Sequence, residues 1–400
     1  MKFKKHLWIV LIVSLCGFQF GYNTAVISGA ALFVAKDFSL TLSQEGHAAS
    51  ILLIGAIIGA VCGGFLASKV GRRDGMQISV LFFILGALIA ALPETLDCFL
   101  IGRVLQGIGV GSVSVIAPMY LAEIAPSEKR GAYVTCNQLC LVIGILVAYG
   151  LNFLWAQDAS WQKMVGFGAV PAILQFFLLF FIPETQKTRV VSSLKGLLSP
   201  LFRRVIIIGV LLSTFQQITG INVVIYFAPK IFKEAGYAAE ETALFATLGL
   251  GIINLIVSFL ALKLIDKVGR RPLLIWGVIG MVASLLLIAF ALQTENSSLL
   301  AIVSLMAYIG FFAIGMGPIP WLILSEIYPE EIKSSAMSLA VFLNWGSNYV
   351  VAFSFLYLAH IMTFSGVFFL YAAISLAALI FIWKMVPETK GLSLHKAQEL

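Results

Sequence analysis

Seven consecutive residues, Gln216-Gln217-Ile218-Thr219-Gly220-Ile221-Asn222, set three amide side chains and a hydroxyl inside an apolar run, 205–232. A primary amide holds donor and acceptor in one plane, which suits hydrogen bonding to neutral polar groups. In hydrocarbon such groups find no water, so leaving them unpaired is costly. On an unbroken helix Gln217 and Asn222, five residues apart, would be separated by roughly 140°. A break at Gly220 could bring both toward one cavity, as in the discontinuous helices of transporters. Polar glue between packed helices is the bland alternative. The clustering around a glycine favours a binding site.

Other chemistry is sparse. The five cysteines (16, 62, 98, 136, 140) sit mostly in apolar surroundings. Cys136 and Cys140 share a helical face, but no His or acid joins them at ligand spacing, so they read as packing thiols and no metal or cofactor is expected. The four histidines (6, 47, 360, 395) fall in tails, loops or span ends, which leaves no general base within the apolar runs. No nucleophile–base or metal constellation emerges, and an enzyme is not expected.

The elements that carry these residues belong to a membrane protein. The chain is 60% hydrophobic and 11% charged with a mean hydropathy of +1.01, whereas a soluble protein is about a quarter charged. Twelve apolar runs are long enough to cross the hydrocarbon, at about 7–30, 48–68, 76–93, 99–122, 132–155, 164–182, 205–232, 243–264, 273–293, 299–324, 335–359 and 364–386. The fold class is therefore an all-α membrane protein. With the N-terminus inside, 21 of the 26 Lys and Arg residues fall on the cytoplasmic side, four (36, 163, 230, 233) fall outside, and Arg103 lies within a span. This bias puts both termini in the cytoplasm and explains the net charge of +7 without a nucleic-acid partner.

The chain repeats at half its length. Lys69-Val-Gly-Arg-Arg73 recurs as Lys267-Val-Gly-Arg-Arg271, Leu121-Ala-Glu-Ile-Ala-Pro126 as Leu324-Ser-Glu-Ile-Tyr-Pro329, and Pro183-Glu-Thr185 as Pro387-Glu-Thr389. The order and near-constant offset predict two six-helix bundles, 1–183 and 205–400, joined by a short cytoplasmic linker, 184–204. The cytoplasmic repeats juxtapose Arg72, Arg73, Glu123 and Arg130 in one half with Arg270, Arg271, Glu326 and Lys333 in the other. Ion-pair clamps between helices, forming a cytoplasmic gate, are one reading; positive-inside charge with incidental pairing is the other.

Gly21-Tyr-Asn-Thr-Ala-Val-Ile-Ser-Gly29, the two Gly-Arg-Arg turns, Pro118-Met-Tyr-Leu-Ala-Glu123 with Arg130-Gly131, Gln216 to Asn222, Gly317-Pro-Ile-Pro-Trp321 and Pro387-Glu-Thr-Lys-Gly391 together resemble the sugar porter family of the major facilitator superfamily, from the first span to the tail. The resemblance implies a transporter of monosaccharides in the cell membrane, working by alternating access and functional as a monomer. It implies a mid-membrane sugar site formed by Gln216, Gln217, Asn222, Asn254, Trp321, Asn344, Trp345 and Asn348, with Gln138 from the N-terminal half. The chemistry suits a sugar, since each hydroxyl donates and accepts and a Trp face covers the apolar face of a pyranose. Asn254 and Asn348 could equally be interhelical bonders, and Trp345 packing.

The chain also departs from that family. Proton-driven members carry Asp within Gly-Tyr-Asp, where this chain has Asn23, and an Arg in span four, present here as Arg103. Asn23 has no proton to exchange, and none of the 19 acids lies deep in a span. A uniporter is the expectation; a proton-coupled symporter using another site and a non-transporting sugar sensor are the alternatives. Arg103 either snorkels to outer headgroups or bonds to Asn23. The linker is shorter than the family's usual cytoplasmic loop, with one short interfacial helix expected over 191–199.

Overall fold

The computed structural model describes residues 2–125, 130–185, 197, 199–237, 239–294, 298–329 and 332–390. The expected interfacial helix over 191–199 lies largely outside them. The described chain is helical: α1 (Lys2–Ala25), α2 (Ile27–Asp37), α3 (Leu42–Lys69), α4 (Arg72–Ala91), α5 (Leu96–Ile124), α6 (Arg130–Trp155), α7 (Trp161–Gly166) and α8 (Ala169–Leu178) in its first half. The second half contains α9 (Arg203–Ile218), α10 (Ile221–Glu234), α11 (Glu240–Val268), α12 (Arg270–Ala291), α13 (Ser298–Ile314), α14 (Ile319–Ile327) and α15 (Lys333–Met385).

Eleven stretches among the described residues are long and apolar enough to cross a membrane. The last, Ser335–Met385, has 51 residues. At 1.5 Å per residue it would extend about 77 Å, more than twice the roughly 30 Å hydrocarbon thickness. It is interrupted at Thr363 (φ 66°, ψ 162°), and Phe355 and Phe364 on either side meet edge to face at 5.4 Å. Read as two crossings, it brings the total to the twelve expected.

The described chain groups into two compact units. One comprises Met1–Arg189, Ile225–Pro229 and Glu240–Gly251; the other comprises Val190–Val224, Lys230–Ala239 and Ile252–Leu400. In the first, α3 and α5 pack through small residues. A Cβ at Gly55, Gly59, Gly107 or Gly111 would fall 2.0–2.2 Å from a facing carbonyl oxygen, so the backbones touch, and Ser112 Oγ donates across the seam to the Gly59 carbonyl (3.1 Å). Span one runs on through Val26, which has helical dihedrals (φ −57°, ψ −29°), donates its N–H to the Tyr22 carbonyl (2.9 Å) and accepts from the Ala30 N–H (3.1 Å). There Arg103 Nη2 also donates to the Asn23 carbonyl (2.9 Å) and Asn152 Nδ2 to the Val26 carbonyl (3.2 Å).

The repeated Gly-Arg-Arg and Pro-Glu-Thr motifs meet within each unit. Gly71 (φ 103°) turns the chain into α4, and the Glu184 carboxylate accepts from the main-chain N–H of Arg72 (2.7 Å) and Arg73 (3.1 Å). Gly269 (φ 112°) turns into α12, and Glu388 accepts from Arg270 and Arg271, both at 3.0 Å. Each carboxylate thus satisfies the unpaired N–H groups at a helix N-terminus, where the helix dipole favours negative charge. Glycine is required at the turn twice over. A Cβ would meet Glu184 Oε2 at 2.6 Å or Glu388 Oε2 at 2.8 Å, in a backbone region L side chains avoid.

Glu184→Ala should cost about 1–2 kcal/mol of stability, the usual cost of losing a helix cap. The thermal unfolding midpoint of the purified protein in detergent checks this, and an unchanged midpoint would show that the cap contributes nothing.

Candidate functional site

The polar stretch in span seven is where the helix breaks. α9 ends at Ile218, Gly220 adopts the left-handed conformation (φ 95°, ψ 12°), and α10 starts at Ile221. The Gly220 N–H donates to the Gln217 carbonyl (3.0 Å). The Thr219 carbonyl is taken by the Tyr308 hydroxyl on α13 (2.9 Å). The Tyr371 ring packs so closely that a Cβ at Gly220 would meet it at 2.6 Å. Neither tyrosine was foreseen from the sequence, since a Tyr in an apolar run carries no signal of which carbonyl it will cap.

The amides join in a relay across span seven and α15. Asn222 Nδ2 donates to Gln217 Oε1, Gln217 Nε2 donates to Asn344 Oδ1 (3.0 Å), and Asn344 Nδ2 donates to Gln216 Oε1 (2.8 Å) and the Ser213 carbonyl (2.9 Å). Gln216 Nε2 then donates to the carbonyls of Met316 (2.7 Å) and Gly317 (3.1 Å), in the broken segment that leads into α14 and Trp321. Gln216 is therefore committed on both arms of its amide and acts as a positioning residue. Asn222 is only half-buried, which makes it the accessible end of the relay. The break does bring Gln217 and Asn222 together, as the sequence suggested.

The remaining predicted positions differ in character. Asn348 and Trp345 are buried on α15, with Asn348 one turn beyond Asn344 on the same face. Trp321 is half-buried at the start of α14. Asn254 is half-buried on α11 and accepts from Ser258 Oγ (3.3 Å), one turn along its own helix. Gln138 is half-buried on α6 of the first unit. A groove lined by Ile253, Val257, Met306, Ala307, Gly310, Phe311 and Ile314 offers a sugar nothing to bond to.

Arg103 does not snorkel. It is 1% exposed, and its bond goes to the main-chain carbonyl of Asn23 rather than to the side-chain amide. The Asn23 amide turns instead to the Gln19 carbonyl (2.9 Å), while Arg103 Nη1 takes Gln106 Oε1 (2.7 Å). The bonds made by Gln19 and Gln106 were not foreseen, because a glutamine in an apolar run carries no signal of which neighbour it will meet.

On the paired Gly-Arg-Arg motifs, Arg72 Nη2 pairs with Glu123 Oε1 (3.0 Å), and Arg270 Nη2 with Glu326 Oε1 (3.1 Å). Each pair lies within one unit. Arg73 does not reach across: it pairs with its neighbour Asp74 (2.8 Å). Arg271 Nη2 donates to the Trp383 carbonyl (2.6 Å), and the Thr389 hydroxyl donates to Glu326. The side chains of Arg130 and Lys333 lie outside the described residues. Glu184 and Glu388 are the functional positions missed here. Their recurrence in Pro-Glu-Thr, 112 residues after Arg72 and 118 after Arg270, was the available signal.

Gln216→Leu should destabilise the protein by about 1–3 kcal/mol, because it leaves Asn344 and the 316–317 carbonyls without their partner. Asn222→Ala should leave stability within about 0.5 kcal/mol while weakening ligand binding. Paired thermal unfolding and ligand-binding measurements separate the two roles.

The sequence profile of the family described as "Sugar (and other) transporter" matches residues 9–190 and 185–400. The chain is 36% identical to the glucose transporter GlcP of Staphylococcus epidermidis, covering 100% of this chain and 97% of that protein. It is 34% identical to the D-xylose-proton symporter of Escherichia coli K12, covering 98% and 95%. Among solved structures, XylE bound to 6-bromo-6-deoxy-D-glucose superposes with a TM-score of 0.85 at 32% identity, covering 98% of both chains. A partially occluded, inward-open form of XylE from E. coli also gives 0.85, at 33% identity. With its twelve crossings and paired motifs, the chain belongs to the sugar transporter family of the major facilitator superfamily, and is a multi-pass membrane transporter rather than an enzyme.

Proposed function

We propose that this protein carries a monosaccharide, a hexose or a pentose, across the cell membrane by alternating access. The observation that carries this reading is the amide relay at the Gly220 break, whose accessible end, Asn222, is held by Gln217 and offers its amide to hydroxyls. Asn254, Trp321, Trp345 and Asn348 extend the binding surface, Gln216 and Asn344 hold it in shape, and Gln138 is the contribution proposed from the N-terminal half. The relatives' names, glucose transporter and D-xylose- or galactose-proton symporter, support a monosaccharide as substrate. The working unit is a monomer of two bundles, 1–183 and 205–400, with both termini cytoplasmic. Arg72–Glu123 and Arg270–Glu326 act as gate pairs near the linker.

The transport mode is uniport. The position that faces Arg103 from span one is the neutral amide Asn23, and Arg103 meets no carboxylate among the described residues. A group without a titrating proton cannot couple sugar to a proton gradient. Proton symport is the second reading, favoured by the names of two relatives.

In proteoliposomes, radiolabelled sugar should equilibrate without accumulating, and an uncoupler should leave uptake unchanged. Asn23→Asp should introduce dependence on a proton gradient. Accumulation that collapses with the uncoupler in the unmodified protein would establish the symport reading instead.

Glu326→Ala should shift the balance between inward- and outward-facing forms, measured by exchange rates or by distance labels. Unaltered exchange and balance would remove the gate role.

A further inference from the structure

Arg103, Asn23, Gln19 and Gln106 form one buried cluster in the first unit, each no more than 1% exposed. Hydrogen bonds chain them together: Arg103 to Gln106, Arg103 to the Asn23 carbonyl, and Asn23 to Gln19. Four polar atoms of this cluster have no protein partner: Arg103 Nε, Gln106 Nε2, Gln19 Nε2 and Asn23 Oδ1. Three of the four are donors. The guanidinium is permanently protonated, yet both of its protein acceptors are neutral and no acid among the described residues pairs with it. The titratable groups that act on it are the phenols of Tyr226 and Tyr22, which are neutral at physiological pH.

A buried cation surrounded by spare N–H groups lacks a counter-charge. Water can meet the spare hydrogen bonds but not the charge. A monatomic anion is the smallest species that meets both demands. We propose that this cluster binds a halide, chloride under cellular conditions. The anion accepts from Arg103 Nε and from the Gln106 and Gln19 amides, while one accompanying water donates to Asn23 Oδ1. The site shares Arg103 and Asn23 with the uniport reading, and its test runs without sugar, so the two can fail separately.

The test is thermal unfolding of the purified full-length protein in nanodiscs, in sodium chloride and in sodium gluconate at equal ionic strength and without sugar. Saturable chloride binding should raise the midpoint by about 2–4 °C, and bromide should substitute for chloride. Asn23→Asp, which supplies an internal carboxylate, and Gln106→Leu, which removes one donor while keeping Arg103, should each abolish or at least halve the chloride shift. Equal midpoints in the two salts would overturn the proposal in favour of water alone. A chloride shift undiminished in both variants would overturn it as well, since the anion would then act elsewhere.

Discussion

Hydrocarbon leaves no backbone polar group to be rescued by solvent, so every interruption of a spanning helix has to be closed by the protein itself. Two interruptions follow this constraint. At Gly220 the freed carbonyl of Thr219 is met by Tyr308. At Met316–Gly317 the carbonyls are met by Gln216. The polar side chains that look expensive in the sequence are the groups that make the breaks tolerable, and the breaks expose the amides that remain.

This coupling gives the amides two grades of duty. Gln216 and Asn344 use their full bonding capacity on the protein and fix the geometry of two helix breaks. Asn222 stands at the end of the chain of bonds, half-exposed. A ligand that accepts and donates at this end meets a surface already held in place, which limits the ordering cost of binding. At the paired motifs the same economy recurs, since one carboxylate closes a helix start in each half and the adjacent arginine ties that helix to its neighbour.

The fold was largely legible. Apolar runs of the right length, the charge bias between loops and the half-length repeat each reflect a one-dimensional requirement: span, side and symmetry. Span one was read short, as 7–30, whereas the helical stretch continues to Asp37. Arg103 was open between lipid headgroups and Asn23, since depth along a helix does not tell which face a side chain takes.

Residue type and spacing in the chain alone determined that an amide cluster with a central glycine lies within an apolar span and that the motifs come in pairs; the resemblance to the family added that Asn23 stands where proton-driven members carry an acid. Partnership came from tertiary contacts: Gln216 as scaffold and Asn222 as the open end, Glu184 and Glu388 as helix caps, and Arg103 on a main-chain carbonyl. The reason is physical. Burial and periodicity act on each segment separately, whereas a hydrogen bond between residues 80 or 131 positions apart depends on which helix faces meet.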